Sequence, residues 1–432
     1  MENRYDKYKD SGIAWIGKIP EHWNTYQLKR CSKFINGYAF NSNHFNKDKG
    51  IPVIRIGDIL NEQISFDNIV YVQENNELEK FIVHKNDILI AMSGATVGKI
   101  GIYSNDDKVY INQRVGIIRT IQYNFIKRMF TTNGFADYVN LSSAGSAQPN
   151  ISSEEILNFY IPAPSIKEQQ SIATYLDQKC GEIDKLITLQ EKMITKLQSY
   201  KQSVITEAVT KGLDKNVPLK DSGIEWIGEI PEHWEIRTLK TMLSGLQDGT
   251  HGTFKNITSN YLLLSAKNIT DNGLQFSDIE RTISENDYKT IISNGYPQKG
   301  DILLCCVGTI GRCCIYNYDK IYAFQRSVSF LRTNKNTSNR FLLYLLRSQI
   351  CTTQFLMSAR TSAQSGIYLS TLSNLIIITP PLSEQQSIAN YLDPKCREID
   401  ELISIKQQKI EKLKDYKKSL IFECVTGKRK VS

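Results

Sequence analysis

The sequence predicts two globular domains of the α/β (α+β) class, separated by two long antiparallel coiled-coil helices and related by an internal pseudo-two-fold axis. Three observations carry this. Residues 9–23 read KDSGIAWIGKIPEHW and residues 220–234 read KDSGIEWIGEIPEHW, differing only at Ala14/Glu225 and Lys18/Glu229. A second block, EQQSIATYLDQKCGEID from Glu168 to Asp184, returns as EQQSIANYLDPKCREID from Glu384 to Asp400. The two pairs of copies lie 211 and 216 residues apart (Lys9 to Lys220, Glu168 to Glu384), so one long unit is used twice, a period far beyond that of solenoid repeats. Third, each second block runs on into a narrow apolar stripe of helical spacing.

The first stripe is Cys180, Ile183, Ile187, Ile194, Leu197, Val204 and Ala208, interrupted by Gln190 and Lys201. Asp177 is the expected N-cap, and a helix of about 33 residues from there is a rod of about 50 Å. The second stripe is Cys396, Ile399, Ile403, Ile410, Leu413, Leu420 and Cys424. It is interrupted at the equivalent positions by Lys406 and Lys417, with Asp393 as cap and Pro394 expected at the first helical position. One narrow stripe needs a partner helix, and polar residues within it cost stability while fixing register. The two rods are therefore expected to pair with each other.

Each unit runs in the order tryptophan motif, globular stretch, short capped helix, long helix. The expected divisions are 1–164, the first globular domain with its tryptophan motif; 165–219, the first helical region; 220–381, the second globular domain; and 382–432, the second helical region. Pro162, Pro164, Pro380 and Pro381 close the globular parts, and Ser165 with Glu168 forms a capping box for the short helix. Within the first globular stretch 51–56, 87–92 and 115–119 read as strands, and 125–141 reads as a helix, as does 339–356 in the second. Because the second tryptophan motif follows the end of the first long helix, equal surroundings for the first copy require Lys9 to lie beside the C-terminus. Most of the two globular stretches shows no extended identity. The matching part runs from Asp87 through Gly94–Lys99 to Gln113-Arg114, against Asp301, Gly308–Arg312 and Gln325-Arg326, with a short echo at Ser146–Gln148 and Ser362–Gln364.

Composition narrows the classes. The 432 residues are 41% hydrophobic, enough for ordinary cores in more than one domain. No apolar run has the length of a membrane span, and the polar start does not read as a signal peptide. Nine cysteines, an odd number without disulfide spacing, point to a reducing compartment, and the protein is expected to be cytoplasmic. The net charge of +8 is compatible with a nucleic-acid partner without being evidence for one.

The paired EQQSIA-x-YLD…EID blocks, the SGI-x-WIG-x-IPEHW motifs and the Gly-Thr-Ile-Gly type of loop resemble the specificity subunit of type I restriction-modification systems, over essentially the whole chain. That resemblance implies two target-recognition domains, each reading one half of a split DNA sequence, with the helices as a ruler. It implies double-stranded DNA as ligand, two modification (adenine methyltransferase) subunits and restriction/translocase subunits as partners, and no membrane. It also implies no catalytic residue and no metal in this chain, with S-adenosylmethionine, ATP and Mg²⁺ carried by the partner subunits. Reading base edges needs Arg or Lys toward guanine and Asn or Gln toward adenine. The candidates are Asn41 to His44, Lys99, Gln113, Arg114 and Gln148 in the first domain. In the second they are His251, Lys255, Arg312, Gln325, Arg326 and Gln364.

Other readings fit the residues less well. Gly94–Lys99 falls one residue short of a phosphate-binding P-loop and has Ile100 where Ser or Thr would hold magnesium, so a tight strand-to-strand turn is expected. Cys305, Cys306, Cys313 and Cys314 lack zinc spacing, and neighbouring strand residues face opposite ways, so they read as core. His22 and His233 have no apparent catalytic partner and are assigned to packing under the helix ends or to a docking surface. The lysines of 409–418 and 428–430 read by default as solvated. A stand-alone methyltransferase would need an Asn/Asp-Pro-Pro-Tyr/Phe motif, which Thr379-Pro-Pro-Leu382 is not. A purely structural coiled-coil adaptor leaves two large divergent domains without a purpose.

Overall fold

The computed structural model describes residues 4–60, 62–143, 149–361 and 366–431. Two long helices dominate it, α1 (Ile166–Lys211) and α2 (Leu382–Val425). The chain divides into two compact units, Met1–Gln190 with Gln408–Ser432, and Glu191–Gln407, so each long helix contributes one half to each unit.

The long helices begin earlier than their caps suggested. Ser165 caps α1, and the helix runs on through Asp177 without a break; α2 likewise runs through Asp393 and Pro394. The separate short helices expected before Asp177 and Asp393 do not exist. Ile172 and Leu176 continue the buried stripe of Cys180 and Ile183, as Ile388 and Leu392 continue that of Cys396 and Ile399. Apolar burial on an unbroken face outweighs a local cap preference and the hydrogen bond that Pro394 forfeits.

In unit 1 the globular part is built on strands β1 (Lys33–Asn36), β2 (Ile51–Ile54), β3 (Ile88–Ala91), β4 (Ile100–Ile102), β5 (Tyr110–Ile111) and β6 (Val115–Arg119). Unit 2 repeats them as β7 (Leu243–Asp248), β8 (Tyr261–Leu264), β9 (Ile302–Cys305), β10 (Cys313–Ile315), β11 (Ala323–Phe324) and β12 (Val328–Thr333). The central antiparallel sheet has the order β4-β3-β6-β1, matched by β10-β9-β12-β7, and a second small sheet pairs β2 in parallel with β5, as β8 with β11. Despite little identity, the two frames have one topology.

β3 and β9 are continuous apolar runs because both their faces are covered. Ile88 and Ile90 enter the core that also holds Trp23, Leu176 and Leu420, while Leu89 and Ala91 enter a second core with Ile54 and Val115. In unit 2 Cys306 and Cys313 lie in one core and Cys305 and Cys314 in the other. All four thiols are buried and free, and burial pushes those of Cys306 and Cys314 up to about 12.

Each helix expected after the sheet is broken in two. Tyr123–Met129 and Asn133–Ser142 are separated where the Thr132 hydroxyl accepts from the Phe135 N–H as a new N-cap. Asn339–Arg347 and Gln349–Thr361 are separated at Ser348, whose backbone is extended (φ −70°, ψ 162°).

The long helices pair antiparallel inside each unit. In unit 1 Ile172, Leu176, Cys180 and Ile183 of α1 share a core with Leu420, Ile421, Cys424 and Val425 of α2, and in unit 2 Ile205, Ala208 and Val209 share one with Ile388, Leu392 and Cys396. Every expected seam residue is buried or half-buried, including Ile187, Ile194, Leu197, Val204, Ile399, Ile403, Ile410 and Leu413. Leu186 and Leu402, outside the seam, are more than two-fifths exposed. Two of the four interruptions have partners across the helix pair: Lys201 Nζ reaches both carboxylate oxygens of Asp400 at 2.7 Å, and Lys417 reaches both of Asp184 at 2.8 Å, whereas the buried Gln190 has its Oε1 without a hydrogen-bond partner among the described residues.

The C-terminus meets the first tryptophan motif, as the repeat required. Tyr8 Oη donates to Gly427 O (3.0 Å) and Lys428 Nζ to Ile16 O (2.6 Å), so Lys428 is not solvated as its charge run suggested. Trp23 and Trp234 are fully buried under the helix ends. Their indole N–H groups donate to Glu168 (3.0 Å) and Glu384 (2.9 Å), which also bind His22 (2.9 Å) and His233 (2.8 Å). The histidines belong to this packing. Burial raises the Glu168 carboxyl, but hydrogen bonds from Trp23, His22 and Ser165 outweigh burial and bring it down to about 2.

Candidate nucleic-acid interface

At one end of the central sheet in unit 1, several connecting segments are tied together by their own backbones. Met92, just past β3, donates its N–H to Arg114 O (2.9 Å) and accepts from Ile151 N–H (2.9 Å), and Gly94 N–H donates to Pro149 O (2.9 Å). The β3–β4 turn carrying Lys99, the β5–β6 turn carrying Gln113 and Arg114, and the segment 149–151 thus meet around one residue. The segment leaving β1 joins them where Tyr38 bridges Asn112. Unit 2 builds the same junction around Cys306, which donates to Ser327 O and accepts from Ile367 N–H (2.9 Å each), while Thr250 bridges Gln325.

Lys99, Gln113 and Arg114 are exposed on these turns, as are Arg312 and Arg326, and Gln325 is half-buried. The Arg312 guanidinium lies 3.5 Å from Ile269 O. Asn41 to His44 are exposed on the segment leaving β1. Lys255 is exposed but separate, beyond Phe254, which packs into the core of the outer β8–β11 sheet. Gln148 and Gln364 lie outside the described residues. Strand β4 follows the Gly94–Lys99 turn, so the segment is a hairpin connection and lacks the helix of a P-loop.

The register corrects one equivalence drawn from the letters. Asn112 N–H donates to Ile54 O and Gln325 N–H to Leu264 O, at the matching ends of β2 and β8. Asn112 is therefore the counterpart of Gln325, Gln113 of Arg326, and Arg114 of Ser327. The repeated Gln-Arg pair is shifted by one residue along the same turn, so the two units present different side chains at each framework position.

Sequence reasoning missed Gly37 and Gly249, although each stands in an Asn-Gly or Asp-Gly pair, a known turn signal. A Cβ at Gly37 would lie 2.0 Å from Asn112 O, and one at Gly249 would lie 2.3 Å from Gln325 O. Only glycine lets the first strand leave the sheet against that turn. Beyond this shared point the units diverge. Unit 1 has a cleft of about 640 Å³ lined by Tyr38, Phe40, Asn43, His44, Asn75 and Leu78. Unit 2 has one of about 250 Å³ lined by Asp248, His251, Asn294, Tyr322 and Phe324.

The other end of the sheet is a structural joint. Asp87 and Asp301, almost fully buried, take the guanidinium of Arg119 (2.6 and 2.8 Å) and of Arg332 (2.8 and 3.0 Å). Their carboxylates also cap the preceding turns through His84 N–H and Gln298 N–H. These charges are spent within the fold.

A family model described as type I restriction modification DNA specificity domain matches residues 20–199 and again 231–415. The chain belongs to this family. The EcoBI specificity subunit of Escherichia coli is 25% identical over 395 residues, 89% of this chain and 81% of the relative. The putative MjaX specificity subunit of Methanocaldococcus jannaschii is 26% identical, covering 96% of each chain. A solved chain from work on complex assembly and conformational transition of the type I R-M system shares the fold with a TM-score of 0.70 at 16% identity. It aligns over 94% of this chain and 98% of its own length. The two matches of the family model fall one on each copy of the repeat found by sequence.

Proposed function

We propose that this protein is the DNA-recognition subunit of a type I restriction-modification complex and carries no reaction of its own. Each unit reads one half of an asymmetric, bipartite target in double-stranded DNA, and the helix pair sets the gap. The observation that carries this is the contrast at Gly37/Asn112 and Gly249/Gln325: one framework, from which unlike segments and unlike turn residues emerge. Two equal frames on one chain suit two stretches of a duplex, itself approximately two-fold symmetric, and unlike turns suit unlike half-sites. Lys99, Gln113 and Arg114 act at the first half-site and Arg312, Gln325 and Arg326 at the second, with Lys255 contributing charge toward phosphate. Two modification subunits and the restriction subunits are the partners, and S-adenosylmethionine, ATP and Mg²⁺ reside on them.

The test is methylation mapping of DNA from cells expressing this chain with its modification subunit. One bipartite motif with unlike halves and a single gap, methylated only when both proteins are present, is the expected result. No new methylation with an intact, bound partner would overturn the reading and favour a structural adaptor without salt-dependent affinity for duplex DNA.

A further inference from the structure

The two aspartates of each YLD…EID block make two different joints, and both units make them in the same order. Asp177 of α1 receives the Arg128 guanidinium at 2.6 Å and lies 3.2 Å from Lys127, both on the helix Tyr123–Met129 of the globular part. Its counterpart Asp393 receives Tyr344 Oη at 2.7 Å and the Arg340 guanidinium, from the helix Asn339–Arg347. The globular partners differ while the aspartate recurs. Two turns further along, Asp184 and Asp400 leave their own helix and take Lys417 and Lys201 from the other one. The first aspartate fastens the globular part to its helix, and the second fastens that helix to its neighbour.

A lysine in an apolar seam is a poor way to gain stability. Pairs of this kind, with the Lys201 and Lys417 side chains 17% and 23% exposed, contribute little over apolar residues of similar size. Their effect is on alternatives. Sliding one helix by a turn, about 5.4 Å, would set each largely buried ammonium against an apolar neighbour, away from its half-exposed aspartate, so the cost falls on the lysines. On DNA that slide corresponds to roughly 1.6 base pairs at about 3.4 Å each.

We propose that Lys201–Asp400 and Lys417–Asp184 are positioning residues that hold the gap between half-sites to a single length, with Asp177 and Asp393 holding each recognition part to the helix whose register is thus fixed. The inference rests on the DNA-recognition reading above. The side chains act through helix register and touch no base.

The experiment uses the full chain with its modification subunits and compares wild type with the double variant Lys201→Leu/Lys417→Leu. Methylated motifs are mapped, and thermal unfolding is followed in parallel. The expected result separates two quantities that a merely structural role would move together. Unfolding stays unchanged or shifts upward and both half-sites keep their sequences, while motifs with gaps one or two base pairs longer or shorter rise at least tenfold above the wild-type level. Reversing both pairs at once (Lys201→Asp, Asp400→Lys, Lys417→Asp, Asp184→Lys) restores the single gap. A Leu variant with the strict wild-type gap overturns this inference alone, as does methylation that falls only in step with lost stability. A wild-type complex that methylates no bipartite motif overturns both this inference and the functional reading beneath it.

Discussion

In unit 2 the tryptophan motif reaches the end of a long helix along the chain: α1 stops at Lys211, Gly212 turns, and residues 219–234 fold back under it. In unit 1 the same motif meets the end of α2, to which no short stretch of chain connects it. The packing is alike although one junction is covalent and the other is not. Gly427 and Gly212 have φ of +72° and +74°, and each lies against the tryptophan of its motif. Unit 1 adds contacts across its non-covalent junction: Tyr5 Oη donates to Glu168 (3.3 Å), and Lys430 lies over the Tyr5 ring. The motif is thus a fitting for a helix end, wherever in the chain that end comes from. Where the backbone does not hold the fitting, side chains do.

The most severe way to break the likeness is at its shared framework point. Gly37→Ala puts a methyl inside the Asn112 carbonyl and should destabilise unit 1 by about 3 kcal/mol or more. Gly249→Ala should do the same to unit 2. Each should abolish recognition of its own half-site first, checked by DNA affinity for duplexes altered in one half at a time.

Next is the junction itself. A Cβ at Gly427 would lie 2.4 Å from the Pro20 ring and 3.0 Å from Trp23, whereas one at Gly212 meets Trp234 at 3.2 Å. Gly427→Ala should therefore cost about 2 kcal/mol and Gly212→Ala nearer 1 kcal/mol, the usual penalty of a left-handed alanine. Urea unfolding of both variants measures the difference.

Glu168 gives a smaller effect with a defined sign. Its carboxyl drops from the ordinary 4.5 to about 2 in the folded chain. The stability it contributes is complete above the unfolded value and is lost as pH falls from there toward 2. Glu168→Gln should flatten that part of the acid limb, seen by comparing melting temperatures of the two proteins between pH 5 and pH 2.5. The smallest expected change is on the surface: Arg114→Ala should weaken binding by about 1 kcal/mol, through the first half-site only, with a shallower salt dependence if the contact is to phosphate.

Much of this design was legible in the letters. The duplication, the seam and the meeting of the first tryptophan motif with the C-terminal segment follow from near-identical repeats and from apolar spacing, which burial enforces over long distances. What escaped were features settled by tertiary partners. Asp177 and Asp393 have the chemistry of caps, yet Arg128, Arg340 and Tyr344 engage them in mid-helix. Thr132 and Ser348 interrupt two helices whose apolar spacing runs on without a sign of the break. The Gln-Arg pair looked equivalent because identity was read without hydrogen bonds, and a one-residue shift in a turn leaves no mark in composition. The candidate site was legible as turns with basic and amide side chains. The convergence of those turns on Met92 and Cys306 was not, because it is made by backbone hydrogen bonds that place no demand on the side chain.

The buried thiols make the chain its own reporter. Cys180 and Cys424 are shut into the core of unit 1, and Cys305, Cys306, Cys313, Cys314, Cys351 and Cys396 into unit 2, all of them free. Burial holds these sulfurs in the unreactive protonated form, pushing Cys313 up to about 11 and Cys306, Cys314 and Cys424 up to about 12. An alkylating reagent can then modify them only when the surrounding packing opens. Peptide-resolved labelling rates would give two separate clocks, one for each unit, without a single added probe.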